Sequence, residues 1–470
     1  MKLDLQPRRE LEAGAVERAV PWVVREATLA EVMNTLTAGT LLCAFAVTLG
    51  ASNTVVGLIA GIAPLLQVLQ LAATGLVERT RRRKLIATVA AFAGRALWLL
   101  VALAALLPFS KGSLGLLLAA LALRAAVNAF FICAHNSWMR DLIPDGSMGD
   151  FYARRMRASY LAGLLTGIAG GFLIDALAGP LGGAVRAYAF LFVVAFVAGE
   201  IATLTMARVP EPAMPPADGR SLGRRLQEPL RDGNYRRFLG YFALWNLTTA
   251  MAAPLFVIFM LRRLGYPLTW VVLLEGAGKL AHLATLGLWG RLADKHSSRA
   301  VVAAAQPLYW LSLLLWPVAG LLGPATPLTL VLIAGIYVLN RVAAAGIGIG
   351  NNTLAMQLAP RGGATPYLAV RSLVQNPVTF VAPVLGGLLA DWLGRLPLLR
   401  GAFGPLDAVL VLAAVVGVLS ALVLRGVSQP GASDTRTVRA DFVTAIVNAF
   451  RARLPGLRAR TRGRADARSP

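Results

Sequence analysis

With two cysteines, Cys43 and Cys133, and three scattered histidines in 470 residues, the chain offers neither a disulfide framework nor the clustered ligands of a metal centre. Acidic residues are also scarce: 23 Asp and Glu stand against 46 Lys and Arg, and charged residues of both signs make up only 15% of the sequence. No Walker-type glycine loop and no nucleophile elbow occur, and the connections between apolar runs are too short for a nucleotide-binding domain. Enzyme chemistry and ATP-driven pumping therefore have no residues to carry them, and no cofactor is expected. The first residues, Met1 to Glu10, mix both charge signs and lead into no short cleavable apolar core, so they do not read as a secretory signal peptide.

What the chain has in abundance is apolar sequence, 57% of all residues, at a mean hydropathy of +0.65. About 20 apolar residues cross the hydrocarbon of a bilayer, and twelve runs qualify: 28–50, 54–77, 85–108, 113–137, 157–178, 187–207, 238–261, 269–290, 299–322, 327–350, 372–392 and 405–425. Residues 54–175 recur without a gap, shifted by 216 positions, as 270–391. Val55-Val56 matches Val271-Val272, Glu78-Arg79 matches Asp294-Lys295, Pro108 matches Pro324, and Asn136 with Pro144 matches Asn352 with Pro360. Arg155 matches Arg371, and Gly170-Gly171 with Asp175 matches Gly386-Gly387 with Asp391. A register shifted by 212 sets Asn34, Thr35, Leu36, Thr37 and Ala38 over Asn246, Leu247, Thr248, Thr249 and Ala250. The expected fold is an all-α polytopic membrane protein of 12 transmembrane helices in two homologous six-helix bundles. Its divisions are an N-terminal segment 1–27, a first bundle 28–207, a linker 208–237, a second bundle 238–425 and a basic tail 426–470.

The net charge of +23 follows the loops of one side. Arg79 to Lys84, then Arg140, Arg154, Arg155 and Arg157, then the Pro-rich linker, then Arg291, Lys295, Arg299, Arg361 and Arg371 all fall on it. The positive-inside rule then places both termini in the cytoplasm, in a cell inner (plasma) membrane, and leaves nothing for nucleic acid to bind. In the tail, Phe442, Ala445, Ile446, Ala449 and Phe450 recur at helical spacing beside Arg439, Arg451 and Arg453. This predicts a basic amphipathic helix on the inner leaflet.

Twelve spans in two related halves with a long central loop make residues 28–425 resemble the major facilitator superfamily. The turn after the second span of each half matches that family's gating motif, closely in Gly290, Leu292, Ala293, Asp294, Lys295 and Arg299, more loosely in Gly75, Leu76, Glu78, Arg79 and Arg83. The resemblance implies a gate in which the acid and base at these turns, Glu78 with Arg79 and Asp294 with Lys295, make and break pairs, with Arg155 and Arg371 serving it. It also implies that the first, fourth, seventh and tenth spans line a central cavity. Arg124 in the fourth span echoes the arginine of proton-coupled members, without their following glutamine and glycine. Gly170-Gly171 and Gly386-Gly387 partly echo the antiporter motif, and close helix approach explains them equally well.

Ionisable groups inside a span are expensive and mark function. Arg124 and Arg341 stand at matching depth as possible anion sites or partners for carboxylates. Glu275, Lys279 and His282 share a helix face, either as a self-neutralised pair or as a proton or substrate site. Asn34 and Thr37, Asn246 and Thr249, with Asn128 and Asn340, complete the candidate cavity. The expected function is a secondary transporter moving a small solute, with protons as the coupling ion and the bilayer as the other partner. Two alternatives are a multidrug or metabolite efflux antiporter and a non-transporting receptor or scaffold that uses the tail, which deletion of residues 430–470 separates from a transporter.

Overall fold

A computed structural model describes residues 6–8, 14–106, 111–143, 148–214, 222–323, 326–359, 364–399, 401–429 and 435–453. The turns holding Pro108, Pro144, Pro324, Pro360 and Arg361, the middle of the linker and residues 454–470 lie outside them. The described residues form sixteen α-helices: α1 Ala15–Thr37, α2 Gly39–Thr48, α3 Asn53–Leu66, α4 Gln70–Thr80, α5 Arg83–Leu106, α6 Lys111–Leu142, α7 Met148–Leu177 and α8 Ala184–Met206 in the first part. There follow α9 Leu222–Arg231, α10 Gly233–Ile258, α11 Leu268–Lys295, α12 Ser298–Leu322, α13 Pro327–Leu358, α14 Ala364–Leu393, α15 Pro405–Arg425 and α16 Thr435–Arg453. Eleven spans are long and apolar enough to cross a membrane, and twelve when the stretches Asn53–Leu69 and Ala72–Thr80, bent by 44°, count as one.

Large apolar side chains such as Phe92, Leu103, Leu165, Phe172, Val331 and Leu422 stand exposed around the bundle. In water such a surface would aggregate; in a bilayer it is the lipid face, where helices are favoured because they bond their backbone groups internally.

In the first half α1 packs on α7 and α8, and α5 on α6 and α8. The second half repeats this with α10 on α14 and α15, and α12 on α13 and α15. The halves meet along two seams, α3 against α14 and α7 against α11.

Two departures from the hydropathy reading bear on function. The first span begins at Ala15, because Ala19 and Val23 pack on Trp138 and Met139 and the buried Glu26 finds partners inside the half. The same span breaks in mid-membrane: Ala38 is extended (φ −139°, ψ 178°) and Gly39 takes φ +55°, a value that glycine alone adopts freely.

Arg83 and Arg299, 216 residues apart, share one role. Arg83 is fully buried, its backbone N donating to Glu211 Oε1 at 2.7 Å and its Nη2 to the carbonyl of Pro212 at 2.7 Å, while Nη1 pairs with Asp141. Arg299 donates from its backbone N to Gln429 Oε1 at 2.9 Å and from Nη2 to the carbonyl of Arg425 at 3.0 Å. Each arginine thus ties the chain leaving the sixth span of a half to the start of its third. Arg83→Ala strands Glu211 and Asp141, and should cost ~3–5 kcal/mol of stability, as for other broken buried pairs. Denaturant unfolding in detergent measures this.

The tail helix α16 does not simply lie on the lipid. Val438 and Phe442 are buried, Phe442 stacks on Trp289 of α11 with ring centroids 4.1 Å apart, and Asp441 meets Lys295 Nζ at 2.6 Å and His296 Nε2 at 2.9 Å. Val438, one helical turn before Phe442, extends the apolar stripe, and the acid gives it a cognate site on the protein. The side chains of Ile446, Ala449, Phe450, Arg451 and Arg453 lie outside the described residues. The hydrogen bond from Lys295, then that from His296, holds the Asp441 carboxyl below the usual carboxylate range. A depressed carboxyl contributes to docking above the free value of about 3.9 and loses that contribution as pH falls through its lowered value. The tail should therefore stay docked from about pH 5 to 8. Limited trypsin digestion should cut the tail of Asp441→Asn a few-fold faster than that of the parent over that range.

Candidate functional site

At the face opposite the chain termini the halves are closed by a pair of symmetry-related aspartates. Asp175, at the end of α7, accepts from Thr269 N at 2.9 Å and Thr269 Oγ1 at 2.5 Å, capping the N-terminus of α11 in the other half. Asp391, at the end of α14, accepts from Asn53 N at 3.1 Å, Thr54 N at 2.8 Å and Thr54 Oγ1 at 2.6 Å, capping α3 in return. A carboxylate at a helix N-terminus satisfies orphan N–H groups and meets the positive end of the dipole. The Gly-Gly pairs seat these caps: a Cβ at Gly171 would stand 3.2 Å from Val272 and 3.5 Å from Thr269, and one at Gly387 would collide with the Asn53 backbone. Arg262, in a π-helical turn Phe259–Arg263 after α10, adds a cross-half bond to Asn53 Oδ1 at 2.8 Å.

Toward mid-membrane the seam carries charge. Glu275 of α11 pairs with Lys279 at 3.2 Å and with Arg341 of α13 at 3.7 Å, and accepts from Thr40 at the start of α2. The break in the first span makes that last contact: it creates a helix N-terminus in the bilayer, with Glu275 at its positive end. Glu31 of α1, Gly163 and Gly167 of α7 and Glu275 with Lys279 of α11 enclose a cavity of about 240 Å³ there. His282 Nδ1 lies 3.1 Å from the Arg341 carbonyl.

On the termini side of mid-membrane the first half holds a larger cavity, about 650 Å³, lined by Glu26, Glu31, Phe131, His135, Arg155 and Tyr160 among others. A recess of about 160 Å³ extends from it between α1, α5 and α6, lined by Asn34, Arg95, Arg124 and Asn128 with small apolar neighbours. Asn34 lines all three cavities and so marks where they meet. Arg95 donates to the carbonyl of Gly199 at 2.5 Å and to Thr203 at 2.7 Å, and pairs with Glu26 at 3.5 Å; His135 stands 3.9 Å from the same carboxylate. Arg124 lies over the ring of Trp98, 4.6 Å from its centroid.

The sequence profile of the Major Facilitator Superfamily matches residues 27–365. The chain belongs to that superfamily. Solved structures agree in fold. A point mutant of the nucleoside transporter NupG superposes at TM-score 0.72 with 10% identity, over 87% of this chain and 100% of that one. A bacterial homologue of the human lysosomal transporter Spinster, inward-facing and occupied, gives 0.68 at 15% identity over 88% and 96%. A bacterial homologue of the iron transporter ferroportin, inward-facing, gives 0.64 at 15% identity over 88% and 99%. Among curated protein sequences none matches the chain.

Within this superfamily fold the candidate residues separate. Asn34, Arg124 and Asn128 come together in the recess, and Glu275, Lys279 and Arg341 form one cluster at the seam. Thr37, Thr249, Asn246 and Asn340 line none of the three cavities described above. Thr37 is buried and donates to the Met33 carbonyl at 2.7 Å, Thr249 to Trp245 at 3.2 Å, and Asn246 Nδ2 to Phe242 at 2.7 Å, all back-bonds to their own helices. Asn340 is buried within the second half and donates to Ser312 at 3.0 Å.

Of the gating residues, Glu78, Arg79 and Asp294 are exposed and enter no ion pair among the described residues, while Lys295 is held by Asp441. Arg371 donates to Asn352 Oδ1 at 3.0 Å inside its own half, and the matching Arg155 lines the large cavity beside Asn136. The residues that close the opposite face, Asp175 and Asp391, were visible in sequence only as the last matched pair of the repeat. Their partners are backbone N–H groups, which carry no side-chain signature, and the hydroxyls of Thr269 and Thr54, two among many threonines of the chain.

Proposed function

We propose that the protein is a proton-coupled secondary transporter of a small polar solute, seated in the cell inner membrane with both termini in the cytoplasm. One observation carries this reading: the reciprocal capping of α3 by Asp391 and α11 by Asp175 closes one face, while the cavities that meet at Asn34 lie beside the seam and toward the other. A carrier that rocks its halves about that seam exposes the same residues to each side in turn. The basic loops assign the face with the cavity to the cytoplasm. Structural neighbours described as transporters of nucleosides, or as inward-facing, support a small polar cargo and this state.

Glu31 is the proposed proton carrier. It lines both the seam cavity and the large cavity, whereas Glu275 is already engaged by Lys279, Arg341 and Thr40. The protein in proteoliposomes should acidify or alkalinise the lumen when a solute it carries is added, and an imposed pH gradient should drive that solute uphill. Solute flux indifferent to the gradient, at equal rate in Glu31→Gln, overturns the coupling.

A further inference from the structure

We infer that the transported solute is a small organic anion whose carboxylate or phosphoryl group is held by Arg124, with Asn34 and Asn128, in the recess of the first half. This deepens the transport reading and rests on it for the word transported; the binding site itself does not.

The argument is one of missing partners. Neighbouring cations of the bundle have an acid: buried Arg83 has Glu211 and Asp141, buried Arg95 has Glu26, and the partly exposed Arg263 and Arg341 have Asp407 and Glu275. Arg124 pairs with no carboxylate among the described residues, and Arg95, a like charge, lines the same recess. A cation in mid-membrane is costly unless it faces water or finds an opposite charge, and the ring face of Trp98 offsets only part of that cost. The missing charge is therefore one that arrives from outside the chain.

The surroundings suit an anionic head. Asn34 of α1 and Asn128 of α6 line the same recess and bring neutral amide donors, while the rest of its wall, Arg95 apart, is apolar, with Met33, Phe131 and Ile132 as its larger side chains. A guanidinium grips a carboxylate or phosphoryl group through two parallel hydrogen bonds, and the opposite charge makes these stronger than bonds to a neutral ligand. A recess of about 160 Å³ holds a head group and little more. The adjoining cavity of about 650 Å³ falls in the ordinary range of ligand pockets and has Phe131, Met156 and Tyr160 on its wall for an organic body. Arg155 on the same wall adds a second positive charge toward the cytoplasmic side. A cationic solute would meet Arg124 and Arg95 together. The symmetry-related position is no competitor, because Asn340 is neutral and buried and the adjacent Arg341 already has Glu275.

The test uses the purified full-length protein in detergent. Its probes are aliphatic and aromatic monocarboxylates, dicarboxylates and phosphomonoesters of graded size, each beside its neutral amide or alcohol and its amine counterpart. Thermal unfolding midpoint and tryptophan fluorescence report binding. At least one anion should raise the midpoint and change the fluorescence while its neutral and cationic counterparts do not. Arg124→Gln should weaken that anion about 10- to 100-fold, and Arg124→Lys, which keeps the charge but loses the fork, should retain part of the affinity. The carboxylate and phosphoryl arms tell which head is preferred. A panel in which no anion binds, in which neutral or cationic members bind as well, or in which Arg124→Gln binds as the parent does, overturns the inference. Because binding needs no gradient, an intact anion site in a protein whose flux ignores pH refutes only the coupling. A working gradient with an uncharged cargo refutes only the anion site.

Discussion

Gly57→Leu combined with Gly387→Leu is expected to hold the transporter open at the face opposite its termini and to reduce transport roughly 100-fold or more. Both glycines lie where α3 and α14 touch backbone to backbone: a Cβ at Gly57 would run into the carbonyl of Pro383, one at Gly387 into Asn53, and at the neighbouring Gly61 one would stand 2.7 Å from the Phe380 carbonyl. Neighbouring backbone cannot rotate aside as a side chain can, so the seam must separate. Overpacking of this kind costs ~1–3 kcal/mol per site, and two sites shift a two-state equilibrium by roughly two orders of magnitude. The strain exists only in the state with this seam closed, so insertion and overall stability should change far less than transport. A membrane-impermeant maleimide reads the state directly. In a Cys43→Ser, Cys133→Ser background, Thr54→Cys lies in the closed seam and should label slowly, and the two leucines should accelerate it at least tenfold. Unchanged labelling would mean that closure does not depend on glycine at these positions.

Glu275→Gln should lower transport about tenfold or more while leaving membrane insertion intact. The substitution removes the one acid shared by Lys279 and Arg341 at the seam and leaves two cations facing each other there. Because both cations are partly exposed, losing the acid costs less than in a fully buried pair, ~1–2 kcal/mol, and each ~1.4 kcal/mol is a factor of ten. It also removes the charge at the N-terminus of α2, so the break in the first span loses its cross-half anchor. Replacing the acid by Asp should restore part of the rate, since charge matters more here than reach. Initial rates in proteoliposomes, normalised to inserted protein, decide this; rates within twofold of the parent would show the pair to be packing only.

The twelve spans and their two-fold arrangement were legible because a bilayer permits few solutions: a run of apolar residues of the right length must be a helix, and an ungapped repeat must place its copies alike. Side-chain direction was less legible. The spacing of Asn34 and Thr37 is right for one face, yet Asn34 lines the cavities while Thr37 is buried, its hydroxyl bonded to the Met33 carbonyl. Hydropathy could not register the break at Ala38, since neither a charge nor a proline interrupts the run there; the one local sign was Gly39, because glycine takes the left-handed backbone without strain. Arg83 read as one more topology charge among Arg81, Arg82 and Lys84, and its burial against Glu211 depends on the chain returning from α8. Glu26 lay upstream of the predicted first span. Arg124 was the opposite case: a lone arginine in an apolar stretch announced itself, and the structure added that its counter-charge is missing.

The measurement that bears most directly on alternating access about this seam is a reversible crosslink across it. Thr54→Cys with Asp391→Cys, in the Cys43→Ser, Cys133→Ser background, replaces a contact of 2.6 Å between the halves by a thiol pair that oxidation or a short thiol crosslinker can join. The crosslinked protein should bind ligand from the termini side with affinity unchanged within a few-fold, carry none across, and recover transport when the link is reduced. Transport at the full rate with the link in place would contradict the account, because the face it ties shut would then have no need to open.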